Sequence, residues 1–169
     1  MDWSLMQEKW NKAMKVGRVT LSDRASQGVY EDQSGPEIER ILSENLSVEM
    51  DWRRVLIPDD QDLIEQKLVE LVDAEDCELV VTTGGTGPSL RDVTPEATRK
   101  VIDKELMGFG EIIRVKSYER VKTAILSRAT AGIRGRALIV NLPGSPRSIG
   151  ECLPLLVPAI RECLRHLRG

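Results

Sequence analysis

The run Leu79-Val80-Val81, followed at once by T-T-G-G-T-G-P-S-L-R-D-V-T-P-E-A-T over residues 82–98, constrains this chain more than any other stretch. Consecutive apolar residues of this kind read as a strand buried on both faces, the way parallel sheets are written. The stretch closes on a helix start, with Thr94 expected as N-cap, Pro95 at the first helical position and Glu96 beside it. Three glycines, several hydroxyls, one arginine and one aspartate stand between strand and helix. A loop without bulky side chains brings backbone N–H groups against an anion, so this layout points to a phosphate site. A structural turn that needs glycine for positive φ accounts for the same letters. The string is neither G-x-x-x-x-G-K-[ST] nor G-x-G-x-x-G.

The same strand-then-turn grammar recurs along the chain. Residues 16–21 read as a first strand and open into S-D-R-A-S-Q-G. Ser34-Gly35-Pro36 starts a helix whose buried stripe is Ile38, Ile41 and Leu42. Val48, Met50 and Trp52 alternate into residues 55–57, and Pro58 ends that strand. Asp59 and Asp60 follow, then a helix burying Ile64, Leu68, Leu71 and Val72. Residues 108–120 are expected as a helix with Ile112 and Ile113 inside, and residues 123–128 are ambiguous. Residues 132–135 are expected to turn the chain into a fourth buried strand, 137–141, which ends in L-P-G-S-P. Pro154 and Pro158 predict a break in the last helix near Leu153 and Pro154.

Strand–helix alternation without repeats or linkers predicts one domain over residues 16–169. Its class is α/β, a three-layer α/β/α sandwich around a doubly wound, mostly parallel sheet. Ahead of it, Trp3, Met6, Trp10, Ala13 and Met14 share one helical face, so residues 1–15 are expected to form an amphipathic helical extension. A frayed terminus is the alternative.

Composition removes several classes of function. A net charge of -3 and a pI near 5.4 leave no basic surface for nucleic acid. His166 is the only histidine, which excludes a His-based triad and a multi-histidine metal site. Cys77, Cys152 and Cys163 are odd in number and lack C-x-x-C spacing, as expected of reduced, mostly buried thiols in an intracellular protein. No stretch approaches the roughly 20 apolar residues of a membrane span, so a cytoplasmic protein without membrane contact is expected.

Four loops follow four expected strands: residues 22–28, 58–60, 84–92 and 143–146. In an open parallel sheet, ligands sit outside the carboxyl ends of the strands, so all four loops share one candidate crevice. Asp59 and Asp92 in that crevice suit Mg²⁺, which takes a few carboxylates plus ligand phosphates. Helix capping is the plain alternative for each. Arg91 can pair with a phosphate or form an exposed salt bridge.

Six segments carry a family resemblance. They are V-T-L-S-D-R-A-S-Q-G-V-Y-E-D-Q-S-G-P, L-I-P-D-D, the glycine stretch above, G-F-G-E, A-I-L-S-R-A-T-A-G-I-R-G and I-V-N-L-P-G-S-P. Together they closely resemble the molybdopterin adenylyltransferases of molybdenum-cofactor synthesis, the family that includes bacterial MogA and the G domain of gephyrin. The G-G-T-G-x-x-x-R-D-V-T-P-E-A-T string is shared with related molybdopterin-binding domains, whereas S-D-R-A-S-x-G-V-Y-x-D points to the adenylyltransferase branch.

The resemblance implies that the terminal phosphate of molybdopterin attacks the α-phosphate of Mg-ATP, giving adenylylated molybdopterin and pyrophosphate. It implies Asp59 and Asp92 as catalytic aspartates that organise Mg²⁺. It places Gly84, Gly85, Thr86 and Gly87 around the nucleotide, with Arg91 among the substrate-binding residues. Ser22, Asp23, Ser34, Pro143, Gly144 and Ser145 are expected in the remaining wall. It also implies a homotrimer and contacts with other proteins of molybdenum-cofactor synthesis. A non-catalytic molybdopterin-binding or scaffolding module is the alternative, and the N-terminal extension is a departure from relatives.

Overall fold

The computed structural model describes residues 12–169. The expected helical extension over residues 1–15 falls largely outside that range. Its last two residues, Met14 and Lys15, instead belong to strand β1 (Met14–Leu21), where Met14 is fully buried. The order continues with a short helix α1 (Asp23–Ser26), α2 (Ser34–Asn45), β2 (Met50–Ile57) and α3 (Gln61–Val69), which runs on as a wider π turn (Glu70–Ala74). Then come β3 (Leu79–Thr83), α4 (Thr94–Val101), β4 (Lys104–Glu105), α5 (Gly108–Tyr118) and a 3₁₀ turn (Lys122–Leu126). The chain finishes with β5 (Ala131–Arg134), β6 (Ala137–Leu142) and α6 (Pro146–Arg168).

Among the described residues these strands form one six-stranded sheet in the order β2-β1-β3-β6-β5-β4. The first four are mutually parallel, and β5 and β4 join antiparallel at one edge. The chain steps from β1 outward to β2, then crosses back to place β3 on the other side of β1. The topological switch therefore lies between β1 and β3, where open α/β sheets bind ligands. Register aligns the strand ends: Leu21 pairs with Ile57, Thr20 with Thr83, and Thr83 with Leu142. The four loops leave the sheet along a single edge.

Alternation along the strands divides the core. Met14, Val16, Leu79, Val81, Leu138 and Val140 pack beneath α2, α5 and α6, whereas Val19, Leu21, Val80 and Ile139 pack beneath α3 and α4. That is the expected three-layer arrangement. Asn141 ties the layers through polar contacts, its Nδ2 donating to Thr82 Oγ1 at 3.0 Å and to Thr98 Oγ1 of α4 at 2.9 Å. All three residues are fully buried, so each bond offsets a desolvation cost that neither partner could bear alone.

Several local expectations need correction. Residues 131–134 are strand, and the turn falls at Gly135, with φ +56°. Ile112 is 38% exposed, because α5 turns Phe109, Gly110 and Ile113 inward. Val72 is only half-buried. Pro154 and Pro158 do not interrupt α6. Both prolines are exposed, so they sit on the solvent side of the helix, where a lost backbone hydrogen bond costs least. The opposite face buries Ile149, Cys152, Leu153, Leu156, Val157, Ile160 and Leu164. At roughly 1.5–3 kcal/mol per large side chain, that burial outweighs about 3 kcal/mol for each proline.

Cys77 and Cys152 are buried free thiols and Cys163 is half-buried. Burial, with a smaller contribution from the Glu75 charge, pushes the Cys77 thiol up to about 12. The folded chain is expected to leave Cys77 unmodified by iodoacetamide near pH ~8, where a free thiol reacts readily. Mass spectrometry after quenching checks this, since the same cysteine alkylates fully in denaturant.

Candidate active site

The four loops converge on a crevice of ≈ 430 Å³ at the carboxyl ends of β1 and β3. Of the expected residues, Ser22, Ser34, Asp59, Gly84, Gly85, Asp92 and Gly144 line it. Asp23, Thr86, Gly87, Arg91, Pro143 and Ser145 do not. Thr20, Leu21, Tyr30, Glu31, Asp32, Gln33, Thr83 and Pro146 complete the wall. A larger groove of ≈ 980 Å³ lies at the opposite edge, near Lys15, Glu78 and Arg136, away from these loops.

The paired aspartates after β2 divide their work. Asp60 caps α3, its Oδ1 accepting from Leu63 N at 2.9 Å, which leaves Asp59 to face the crevice. Asp59 and Asp23 exchange two bonds: Asp23 N donates to Asp59 Oδ2 at 3.1 Å, and Asp59 N donates to Asp23 Oδ1 at 3.0 Å. Arg91 forks onto Asp23, with Nε 2.9 Å from Oδ2 and Nη2 2.7 Å from Oδ1. Arg91 and Asp23, expected to touch substrate, are thus engaged with each other, and Asp23 also with Asp59.

This arrangement separates the two carboxyl groups. The Arg91 guanidinium, helped by the Asp59 N–H, holds Asp23 below the usual carboxylate range. Asp59 is held above it, first by burial and then by the charges of Asp23 and Asp92, which the Asp23 N–H partly offsets. Asp59 Oδ1 has no hydrogen-bond partner among the described residues and is shielded from water. A buried, partnerless carboxylate oxygen beside a second carboxylate is a donor set that a divalent cation fits. No three metal-ligating side chains converge among the described residues, which offer two carboxylates here and no closed cage.

The glycine loop is shaped by close approach. Gly84 has φ +96° and Gly85 φ +65°, both in the region that side chains avoid. A Cβ on Gly84 would lie 2.3 Å from Leu21 O, and one on Gly85 would lie 2.3 Å from Thr94 Oγ1 and 3.0 Å from Asp59 Oδ1. Thr94 does not cap its helix. Its Oγ1 donates to Gly84 O at 3.0 Å and its N–H to Gly85 O at 3.1 Å, so the hydroxyl expected at the cap holds the loop instead. Asp92 folds its Oδ2 back to accept from Ser89 N at 3.0 Å.

The remaining wall is cross-braced. Ser34 Oγ donates to Gly144 O at 2.7 Å and Thr83 Oγ1 to Pro143 O at 2.6 Å, joining the β6 loop to α2 and β3. Ser145 is instead the N-cap of α6. Ser22 caps α1 and shares a 2.7 Å hydrogen bond with Tyr30. Asp32, which sequence reasoning did not single out, is a hub. Its Oδ1 accepts from Ser34 N and Gly35 N, both at 3.0 Å, and its Oδ2 from Thr20 Oγ1 and Arg18 Nη1. An aspartate two residues ahead of S-G-P is the available signal, because Asp caps a helix start through such bonds.

Residues 17–162 match the model of a family described as a probable molybdopterin binding domain. Over 158 residues, covering 94% of this chain and 90% of the relative, the chain is 52% identical to a Helicobacter pylori protein named molybdopterin adenylyltransferase. An Escherichia coli protein of the same name is 54% identical over 140 residues, covering 83% of this chain and 72% of the relative. Among solved structures, the molybdopterin biosynthesis enzyme MoaB of Thermus thermophilus superposes with a TM-score of 0.83 at 37% identity, covering 91% of this chain and 96% of that one. A match that takes in both sheet faces and all four crevice loops shows that this chain belongs to the molybdopterin-binding domain family of molybdenum-cofactor biosynthesis.

Proposed function

We propose that this chain is a molybdopterin adenylyltransferase that moves the adenylyl group of ATP onto the terminal phosphate of molybdopterin. A molybdopterin phosphate oxygen forms a new bond to the α-phosphorus, the α–β bridging bond breaks, and pyrophosphate leaves with its electron pair. The observation that carries this reading is the meeting of Asp59, Asp92 and the Gly84-Gly85 turn in one crevice at the switch point. The relatives' shared name supplies the reaction class.

The chemistry suits what the crevice contains. A phosphate nucleophile is already anionic, so no histidine base is required, and positioning with charge neutralisation supplies most of the acceleration. Asp59 and Asp92 would hold Mg²⁺, which when bound neutralises charge on the reacting phosphates. Asp59 fits that task because its carboxylate, desolvated and incompletely partnered, gains most from a cation. Gly84 and Gly85 leave the crevice floor free of side chains, so phosphates can approach the backbone. Asp23 and Arg91 fix Asp59 from behind. Ser22, Ser34 and Gly144 form the facing wall.

A homotrimer in the cytoplasm completes the proposal. Exposed Met107, Val115, Tyr118, Val121, Ile125 and Leu126 on α5 and the chain flanking it support burial against a second copy. Free thiols support a reducing compartment, and no described helix is long and apolar enough to cross a membrane.

Pyrophosphate release from ATP, measured with molybdopterin and Mg²⁺, tests the function directly. Turnover that depends on all three is expected. Molybdopterin binding without pyrophosphate release would replace the enzyme with a scaffolding module.

A further inference from the structure

Arg128 lies outside the crevice, between the 3₁₀ turn and β5, and nothing above gives its side chain a role. It nevertheless grips the glycine loop at both ends. Its backbone N–H donates to Thr86 O at 2.8 Å. Its guanidinium donates from Nε to Gly87 O at 2.9 Å and from Nη2 to Asp92 O at 2.7 Å, while Nη1 pairs with Glu96 in the first turn of α4. Arg114 of α5 brackets it, donating to Ser127 O at 3.2 Å and Ala129 O at 3.0 Å.

The loop needs such a clamp. Pro88, Ser89, Leu90 and Arg91 are all exposed, Leu90 at 99%, so no apolar packing holds the segment that leads into Asp92. Two carbonyls and a carboxylate around one side chain match the planar, five-donor fork of arginine, which a lysine ammonium cannot reproduce.

We propose that Arg128 is a positioning residue for Asp92: by tying Gly87 to Asp92 across the exposed tip, its guanidinium sets where the Asp92 carboxylate stands in the crevice. The inference rests on the part given to Asp92 in the reaction proposed above.

The test is Arg128→Lys in the full chain, followed by pyrophosphate release across a Mg²⁺ titration and by amide hydrogen exchange. The expected kcat falls by about tenfold to a hundredfold, the cost of a displaced reacting group. Half-saturating Mg²⁺ rises severalfold, while KM for molybdopterin stays within about twofold. The Ser89 amide, which bonds Asp92 Oδ2, exchanges at least about tenfold faster while the sheet core keeps its protection. Unchanged kcat and Mg²⁺ dependence overturn the proposal, as does exchange raised across the whole core without a local excess at Ser89. If Arg128→Lys does not fold, Glu96→Gln loosens the same bridge, with a smaller loss in the same direction expected and none overturning it. Asp92→Asn separates the two readings. Full turnover in that variant removes Asp92 from the reaction, whereas an inactive Asp92→Asn beside a wild-type-like Arg128→Lys removes only the clamp.

Discussion

Asp59→Asn is expected to cut kcat for adenylyl transfer by about a thousandfold, the scale of losing a fixed charge-stabilising group, while raising the melting temperature of the chain in chelator. The two effects have one cause. Burial and the Asp23 and Asp92 charges disfavour the ionised Asp59 in the folded state, so the native carboxylate is a cost when no cation shares it. Asparagine keeps an oxygen for the Asp23 N–H, and the Asp59 main-chain donation to Asp23 Oδ1 is untouched.

The pH dependence follows with a definite sign. Asp59 is raised in the folded chain, so as pH rises the unfolded state loses its proton first and stability falls between the two pKa values. Asparagine has no such loss. The melting advantage of Asp59→Asn is therefore full at neutral pH and vanishes below the ordinary carboxylate range. Asp23 is lowered and acts oppositely: its contribution is complete above its ordinary value and disappears as acid protonates it against Arg91. Calorimetry at neutral and acid pH, paired with pyrophosphate kinetics, checks both halves. Retained turnover takes Asp59 out of the chemistry, and a lower neutral-pH melting temperature contradicts the electrostatic account.

What could be read in advance depended on the range of the physics. Leu79-Val80-Val81 and residues 137–141 declare buried parallel strands because their own side chains suffer both faces of the sheet. Loops at the ends of such strands share an edge by topology alone, so the sequence brings Ser22, Asp59, Gly84, Asp92 and Gly144 to one crevice, and the structure agrees. Strand β5 was hidden because A-G-I-R carries two turn-like small residues, and its pairing with β6 is set by the partner. Thr94 misled because a hydroxyl ahead of Pro-Glu is a good cap by local rules, yet Gly84 O, brought from ten residues away, took its hydrogen bond. Arg128 sits 36 residues from Asp92 in sequence, and nothing in its neighbourhood shows which carbonyls its fork will find. Arg91 illustrates the converse. Its place in the loop left a phosphate partner and an exposed salt bridge equally open, and the Asp23 carboxylate supplies the bidentate partner from within the fold.

Gly84→Ala is expected to destabilise the chain by about 3 kcal/mol, from roughly 1–2 kcal/mol of left-handed backbone strain and a further 1–3 kcal/mol of overlap. For a domain of this size that lowers the melting temperature by on the order of 10 °C. The overlap is with main chain: the added Cβ would stand 2.3 Å from Leu21 O, at the end of a strand paired on both sides. Relief is blocked elsewhere too. Gly84 N donates to Leu142 O at 3.2 Å, Gly84 O accepts from Thr94, and a Cβ at Gly144 would already stand 3.4 Å from Gly84 Cα. Gly28→Ala isolates the strain, because Gly28 has φ +74° with nothing within 4 Å of its added Cβ. It should cost only about 1 kcal/mol. Equal shifts in urea or thermal unfolding would mean that the strand end yields, and that the turn is not gripped as described. A gap of about 2 kcal/mol between the variants would show instead that β1, the β6 loop and α4 lock one glycine together. The folded fraction of Gly84→Ala should then also turn over slowly, since the same turn carries Gly85, which faces Asp59.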